Sequence, residues 1–322
     1  MRPALGMSDL SDDNLIFAKQ IGVRDLVVVH PEGVQAGSEP YYDYTNLIQL
    51  RTRVENAGLR IAAIQNIPTT YYDKIVWNLP GRDAQIDNYI RTITNVGKAG
   101  IPILHYNFHA IRVWRTSRHT QDRGGAHVTS YNHELMANAP AERGRELGID
   151  ELWDNFEYFL RRIIPAAESV GLRMALHPDD PPASPIAGAA CLFIDMDSFQ
   201  RALDMVPSPA NGLLFCNGCY AEMLGLGVYD AIRHFGKQGK IFYVHFRNVS
   251  GQAHNFQETF IDSGDIDMFK AMQVYKEIGF DGVMIPDHLP GIIGDSPYRH
   301  RSNAYAVGYM RALMAAADVL DE

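Results

Sequence analysis

The chain has 322 residues, of which 46% are hydrophobic and 21% charged, the composition of a globular protein with a large core. Its formal net charge of -9 argues against nucleic-acid and anionic-membrane partners, because both require a basic surface. We therefore predict that the protein binds a small molecule.

The N-terminal segment has neither a basic region nor a long apolar run, and no apolar run is long enough to span a bilayer. The three cysteines, Cys191, Cys216 and Cys219, are too few and too irregularly spaced to indicate a disulfide framework. These features predict a cytoplasmic protein with reduced thiols.

Short apolar runs alternate with segments of helical period from the first residues to the last, which is typical of repeated βα units. The clearest helical segments are Asp83–Ala99, Asp150–Val170, Asp265–Ile278 and Asn303–Leu320. Eight runs are predicted to be strands: Pro3–Gly6, Leu26–His30, Arg60–Asn66, Ile101–Asn107, Leu172–His177, Gly212–Cys216, Ile241–Arg247 and Gly282–Pro286. No glycine-rich phosphate-binding motif follows the first strand, so we predict a single (β/α)8 barrel over residues 1–322 rather than an open doubly wound sheet.

The longest irregular segment is predicted to be a loop over residues 108–147, after the fourth strand. Loops of this length are uncommon unless they are functional. We interpret it as a lid over an anionic, sugar-like ligand, with a solvated surface insertion as the alternative. Its cationic and ring side chains are His109, Arg112, Trp114, Arg115, Arg118, His119, His127, Tyr131, His133 and Arg143.

Each of the last four predicted strands ends on a residue type that binds metals, in the order His177, Cys216, His245 and Asp287. Taken singly, each has a structural alternative: a hydrogen-bonded histidine, a small buried cysteine or a helix cap. Because successive strands of a parallel barrel end at one face, however, the four side chains can converge on one point. We therefore predict one bound divalent transition metal, Mn²⁺, Fe²⁺, Co²⁺, Ni²⁺ or Zn²⁺, rather than Mg²⁺ or Ca²⁺.

Other polar residues near these strand ends are candidates for acting on a substrate. His288 directly follows Asp287 and is a candidate general acid or base. Arg247 lies on the same strand face as His245 and can hold a carboxylate in a bidentate pair. The remaining candidates are Asn107 as a hydrogen-bonding group, Arg115 from the predicted lid, and Asp179 and Asp180 as substrate-binding or imidazole-orienting carboxylates.

Five sequence motifs together resemble the mannonate dehydratase family of metal-dependent, xylose-isomerase-like TIM barrels. In chain order they are YNFHAIRVWRT, ALHPDDPP, LLFCNG, YVHFRNV and MIPDH. The resemblance extends from the fourth predicted strand to the eighth, and HPDDPP is its most specific run.

The resemblance implies dehydration of D-mannonate to 2-keto-3-deoxy-D-gluconate with Mn²⁺ or Fe²⁺. The family's metal ligands fall on the same four residues that the strand ends select, and the family's catalytic histidine falls on His288. The resemblance also implies a catalytic tyrosine about a dozen residues later, where this chain offers Tyr298 or Arg301.

Two alternatives to a sugar-acid lyase remain open at this point. A metal-dependent sugar isomerase or epimerase is the first, although such barrels commonly use more glutamate ligands and no glutamate ends a late strand here. The second is a non-catalytic binding protein that keeps the metal for structure. Assembly into a homo-oligomer is also left open.

Overall fold

The computed structural model describes residues 1–111 and 113–319, and within them eight parallel strands close into a barrel. Each strand pairs with its predecessor in the chain, and the eighth pairs with the first through Arg2 and Val283. The strands are Arg2–Met7, Asp25–Val29, Arg60–Gln65, Ile103–Tyr106, Arg173–Leu176, Asn211–Cys216, Ile241–His245 and Val283–Ile285. The predicted α/β TIM barrel is therefore confirmed.

Side chains along each strand alternate between the barrel interior and the layer of helices around it. The interior cluster includes Ala175 on the fifth strand, Leu214 on the sixth and Tyr243 on the seventh. Two residues further along each strand lie His177, Cys216 and His245. Because alternate residues of a strand share a face, this register directs the predicted ligands toward the barrel axis.

Helices follow the strands and pack their apolar faces on the barrel. In the helix Ile149–Ser169 the buried stripe includes Leu152, Phe156, Phe159 and Ile163, the spacing of one helical face. The longer helices are Asp12–Gln20, Tyr44–Asn56, Arg82–Lys98, Ile149–Ser169, Met196–Met205, Val228–Lys237, Met268–Glu277 and His300–Val319. Shorter helices are Asp73–Val76 and Asn217–Leu224, with 3₁₀ turns at Thr69–Tyr71, Arg123–Gly125, His133–Met136, Glu142–Gly144 and Gly225–Gly227.

The predicted helix bounds agree with the structure to within three residues. Two helix starts differ by three residues, Met268 against the predicted Asp265 and His300 against the predicted Asn303. The first of these helices begins later than predicted because the Asp267 carboxylate accepts a hydrogen bond from the Lys270 amide and caps the helix there. The last helix begins at His300, whereas its predicted end, Leu320, lies outside the described residues. None of the helices in the described part of the chain has the length and hydropathy needed to cross a membrane.

The predicted loop over residues 108–147 contains regular structure. Its strands Ser117–Gln121 and His127–Asn132 form an antiparallel hairpin, which pairs with a second hairpin made of Val249–Gln252 and Asn255–Glu258. The resulting four-stranded sheet joins an insertion after the fourth barrel strand to one after the seventh. A separate two-stranded sheet pairs Gln35–Ala36 with Glu39–Tyr42. Arg112, one of the predicted lid cations, lies outside the described residues.

Candidate metal centre and active site

The four predicted metal ligands meet at the carboxyl end of the barrel. Potential ligand atoms of Cys216, His245 and Asp287 lie within 4.8 Å of one another, and so do those of His177, Cys216 and Cys219. Cys216 belongs to both groups and therefore joins the four residues into one site. His177, Cys216 and His245 are buried, and the Asp287 side chain is 17% exposed.

Hydrogen bonds on the far side of each imidazole set which ring nitrogen faces the site. His245 Nε2 lies 3.0 Å from Gln65 Oε1, a carbonyl oxygen that can only accept, so Nε2 carries the proton. His245 Nδ1 is buried without a hydrogen-bond partner and lies 3.2 Å from Asp287 Oδ2. His177 Nδ1 likewise donates to the Pro178 carbonyl at 2.7 Å and leaves Nε2 available. Both rings thus turn their other nitrogen toward the site, as metal-binding histidines do.

The environment of Cys216 favours its thiolate. Burial alone would raise the pKa of this thiol, but hydrogen bonding with Cys219, the charge of Arg247 and contacts with His177 and His245 lower it well below the ordinary value. Arg247 Nε lies 3.2 Å from Cys216 Sγ, and Arg247 Nη2 lies 3.2 Å from Cys219 Sγ. A thiolate, two imidazole nitrogens and a carboxylate form a donor set that suits a divalent transition metal.

A buried ionic network lies beside the ligands and consists of Arg115, Asp180, Glu222, Arg247 and Glu258. Arg247 Nη1 donates to Glu222 Oε1 at 3.0 Å and to Glu258 Oε2 at 2.8 Å, and Nη2 contacts Asp180 Oδ2 at 3.3 Å. Arg115 forms an ion pair with Asp180, with Nη1 2.7 Å from Oδ1, and its Nη2 donates to Glu258 Oε1 at 2.7 Å. Because these charges are buried, removing one partner leaves another uncompensated, which costs about 3–5 kcal/mol in comparable networks.

Glu222 is the carboxylate in this network with the weakest pairing. Burial and the neighbouring carboxylates of Asp180 and Glu258 raise its pKa to about 8, against the opposing effect of Arg247 and Arg115. Its Oε2 atom is buried and has no hydrogen-bond partner. The network therefore favours the neutral form of this carboxyl group.

His288, the predicted acid or base, lies between the ionic network and the ligand group. Its Nδ1 atom is 2.7 Å from Glu258 Oε1, and its Nε2 atom is 3.7 Å from Asp287 Oδ2. Its side chain is 30% exposed, and its backbone adopts the left-handed conformation with φ of 45°. Burial would lower the pKa of this imidazole, but Asp287 and Glu258 raise it to about 9.

The predicted substrate-binding residues occupy different environments. Asn107 has a buried side-chain oxygen without a hydrogen-bond partner, and Arg115 has a buried Nε without one. All three guanidinium nitrogens of Arg247 donate hydrogen bonds to other side chains of the protein. The Asp179 carboxylate accepts a hydrogen bond from the Phe193 amide at 2.8 Å, whereas the adjacent Asp180 belongs to the ionic network.

Tyr298 and Arg301, the two candidates for the catalytic tyrosine's role, lie apart from the ligand group. The Tyr298 hydroxyl donates to the Gly6 carbonyl at 3.2 Å, and its ring packs edge-on against Phe17 and His300. Arg301 is exposed and donates to the Ile293 carbonyl at 3.0 Å. Among the hydrogen bonds and ion pairs of residues 1–111 and 113–319, none joins either side chain to a predicted ligand or to His288.

Sequence reasoning missed Gln65, His105 and Glu258. Gln65 ends the third strand, so the rule that selected the metal ligands could have found it. His105 accepts a hydrogen bond from the Asn66 amide through Nδ1, and its buried Nε2 has no partner, beside the ring of His177. Glu258 lies on the second inserted hairpin, and no local sequence signal marks it.

A cavity of about 460 Å³ lies beside the site and is lined in part by His288 and Arg115. Most of its lining comes from the first inserted hairpin and from the segment after the eighth strand. The basic residues around it are Arg115, Arg118, His119, His127, His288 and Arg299. This charge favours the approach of an anionic ligand.

The fold is that of xylose isomerase-like TIM barrels. D-psicose 3-epimerase from Clostridium cellulolyticum H10 has a TM-score of 0.64 at 13% identity, over 98% of this chain and 99% of that one. At this low identity the likeness concerns the fold alone. A xylose isomerase domain protein from Planctomyces limnophilus matches similarly, with a TM-score of 0.63 at 15% identity and 98% coverage of each chain.

A narrower similarity identifies the family. The D-mannonate dehydratase (UxuA) family model matches residues 14–148 and 138–321. Mannonate dehydratase from Streptococcus pneumoniae (strain 70585) is 34% identical over 277 residues, which cover 78% of this chain and 75% of that protein. The Thermotoga maritima enzyme is 31% identical over 315 residues, covering 86% and 87%.

A solved structure agrees with the sequence matches. Mannonate dehydratase from Streptococcus suis serotype 2 has a TM-score of 0.89 at 31% identity, over 98% of this chain and 93% of that one. The chain therefore belongs to the mannonate dehydratase family, a family of hydro-lyases, and the resemblance noted in its motifs is confirmed.

Proposed function

We propose that this protein is a metal-dependent dehydratase that converts D-mannonate, or a closely related sugar acid, to the corresponding 2-keto-3-deoxy sugar acid. The observation that supports this most directly is the meeting of His177, Cys216, His245 and Asp287 beside His288. Family membership supports the reaction class, and the basic cavity supports an anionic substrate.

The four predicted ligands would hold the metal, with Mn²⁺ as our first choice and Fe²⁺, Co²⁺, Ni²⁺ or Zn²⁺ as alternatives. The fit is supported by the unpartnered Nδ1 of His245 and by the carbonyl oxygens that fix both imidazoles. A divalent ion held there supplies positive charge that stabilises electron density building up on the substrate carboxylate.

The reaction removes a proton from the carbon next to the carboxylate and expels the hydroxyl from the adjacent carbon as water. His288 is the proposed acid or base, because its Nδ1 is held by Glu258, its Nε2 lies 3.7 Å from Asp287 Oδ2, and the residue lines the cavity. It takes up the carbon-bound proton or protonates the departing hydroxyl. The enol that remains then becomes the 2-keto product.

Arg115 and Asn107 are the proposed substrate-binding residues. Each has a buried polar atom without a hydrogen-bond partner: a substrate hydroxyl would donate to Asn107 Oδ1, and a substrate carboxylate would accept from Arg115 Nε. Arg247 instead contacts Cys216 and Asp287 directly, at 3.2 and 3.4 Å. We propose that it orients these ligands, while Asp179 fixes the backbone of the loop at Phe193.

The test is to load the protein separately with each candidate metal and to incubate it with a panel of sugar acids. The expected result is a 2-keto-3-deoxy acid from D-mannonate or a close relative, with loss of one water seen by mass spectrometry. Aldose–ketose or epimer exchange without loss of water would instead assign an isomerase or epimerase and overturn the proposal. The metal-free protein is the control.

A further inference from the structure

The position of Glu258 is fixed by strand pairing between two distant parts of the chain. It ends the strand Asn255–Glu258, which pairs with Val249–Gln252 on one side and with His127–Asn132 on the other. The sheet therefore carries this carboxylate from the insertion after the seventh barrel strand to His288, which follows the eighth. The Glu258 side chain is only 2% exposed there.

Both oxygens of Glu258 are fully engaged. Oε1 accepts from His288 Nδ1 and from Arg115 Nη2, each at 2.7 Å, and Oε2 accepts from Arg247 Nη1 at 2.8 Å. Asp180 contacts both arginines as well, but its nearest oxygen is 3.9 Å from His288 Nδ1. Of the three carboxylates in the network, Glu258 alone is within hydrogen-bonding distance of the imidazole.

The contact has a geometric consequence for His288. A carboxylate at 2.7 Å requires Nδ1 to carry a proton, so Nε2 is the nitrogen left for a substrate. The left-handed backbone at His288, φ of 45°, is strained for a residue with a side chain. A ring attached to such a turn, with 30% of its side chain exposed, requires a further contact to keep one orientation.

We propose that Glu258 is a positioning residue for His288: it holds the Nδ1–H group and so keeps Nε2 turned toward Asp287, 3.7 Å from its Oδ2. The two inserted hairpins then have a role beyond covering the barrel, since their pairing delivers Glu258 and Arg115 to the same ring. This inference deepens the proposed function, because it depends on His288 acting in the dehydration.

The first experiment compares Glu258→Gln and Glu258→Leu with the unchanged protein. Gln keeps an oxygen that can accept from Nδ1, whereas Leu has a similar volume and no acceptor. We expect kcat to fall about 10–100-fold in Glu258→Leu, the usual effect of losing a supporting contact, with KM changed much less. Glu258→Gln should recover a large part of this loss, and it also guards against a leucine variant that fails to fold.

Glu222→Leu is the matched control, because Glu222 is also fully buried and also contacts Arg247 Nη1, at 3.0 Å, but is not bonded to His288. An equal fall of kcat in Glu222→Leu and Glu258→Leu would show that any disturbance of the ionic network is sufficient to lower kcat. That result would overturn a specific role for Glu258.

A second experiment does not depend on activity. Protein labelled with ¹⁵N in its histidines, metal-free or loaded with diamagnetic Zn²⁺, reports which ring nitrogens carry protons, and the His288→Ala variant assigns the signals. We expect a protonated Nδ1 at His288 in the unchanged protein, in Glu222→Leu and in Glu258→Gln, and its loss in Glu258→Leu.

The two experiments separate the two proposals. If the NMR pattern is as expected but no sugar acid is dehydrated, the proposed function fails while the contact stands. If dehydration is found but the protonation of Nδ1 is the same in Glu258→Leu, the positioning role is overturned and the proposed function survives.

Discussion

Gln65 and His245 are joined across the barrel by a hydrogen bond of 3.0 Å, from the end of the third strand to the end of the seventh. The same Gln65 oxygen accepts from the Tyr243 hydroxyl at 2.9 Å. An uncharged amide thus fixes the orientation of a proposed metal ligand from outside the ligand group. The direction of the His245 ring depends on a residue that is distant in sequence.

Gln65→Leu is expected to weaken metal binding by about 10–100-fold, because it frees the His245 ring and leaves two buried donors without an acceptor. Competition with a chelator of known affinity measures the change. Gln85→Leu is the control: Gln85 is also buried, but it bonds Lys74, Ile75, Thr70 and Asp73 away from the site. Equal metal affinity in Gln65→Leu and the unchanged protein would contradict the proposed orientation of His245.

Cys216→Ala is expected to remove most of the bound metal. The thiolate is the member shared by both ligand groups, so its loss leaves two nitrogens and one carboxylate around the site. Metal content per chain, measured by mass spectrometry after dialysis, gives the result. Cys191→Ala serves as the control, because Cys191 is also a free, buried cysteine but belongs to neither group of potential ligand atoms. Full metal content in Cys216→Ala would remove the central argument for this site.

The barrel and the ligand group were predictable because both follow from local patterns repeated along the chain. Each βα unit has its own apolar strand, and the residue at the end of that strand must lie at the same face of the barrel as its neighbours. His177, Cys216, His245 and Asp287 come from four successive units, so the prediction of their convergence required no long-range contact. Gln65 was missed because the third strand was predicted to end one residue later, at Asn66, whereas the strand ends at Gln65.

The positions of Glu258 and Tyr298 could not be predicted from local sequence patterns. Glu258 reaches His288 only because Asn255–Glu258 pairs with His127–Asn132, more than a hundred residues earlier, and no local pattern encodes that register. Tyr298 was chosen by its distance in sequence from His288. The chain between them passes through the left-handed Gly294, and the Tyr298 hydroxyl donates to the Gly6 carbonyl of the first strand.

His288→Ala is expected to lower kcat by about 10²–10⁴-fold, the range typical of a lost general acid or base, while the metal content stays that of the unchanged protein. The reason is that the ligand atoms belong to other residues, and Asp287 keeps its contacts with His245 and Arg247. Steady-state kinetics and metal analysis on the same preparation provide the two values. Unchanged kcat would exclude His288 as the acid or base, and loss of metal would show that its role is structural.

Gly218 allows the close approach of Arg247 beneath the short helix Asn217–Leu224. A Cβ atom at this position would lie 2.1 Å from Arg247 Nη1 and 2.4 Å from its Cζ, so the guanidinium would have to move. Because that guanidinium bonds Cys216, Cys219 and three carboxylates, we expect Gly218→Ala to lower the free energy of unfolding by about 1–3 kcal/mol, as overpacking does. Metal affinity should fall with it.

The matched control is Gly308→Ala in the last helix, where a new Cβ would meet nothing within 4 Å. Replacing an exposed helical glycine by alanine stabilises proteins by about 0.4–1 kcal/mol, so the two variants should change stability in opposite directions. Urea unfolding of the metal-free forms measures both without the contribution of bound metal. If Gly218→Ala proved as stable as the unchanged protein and bound metal equally well, Arg247 would be free to shift, and its contact with Cys216 would have no part in orienting that ligand.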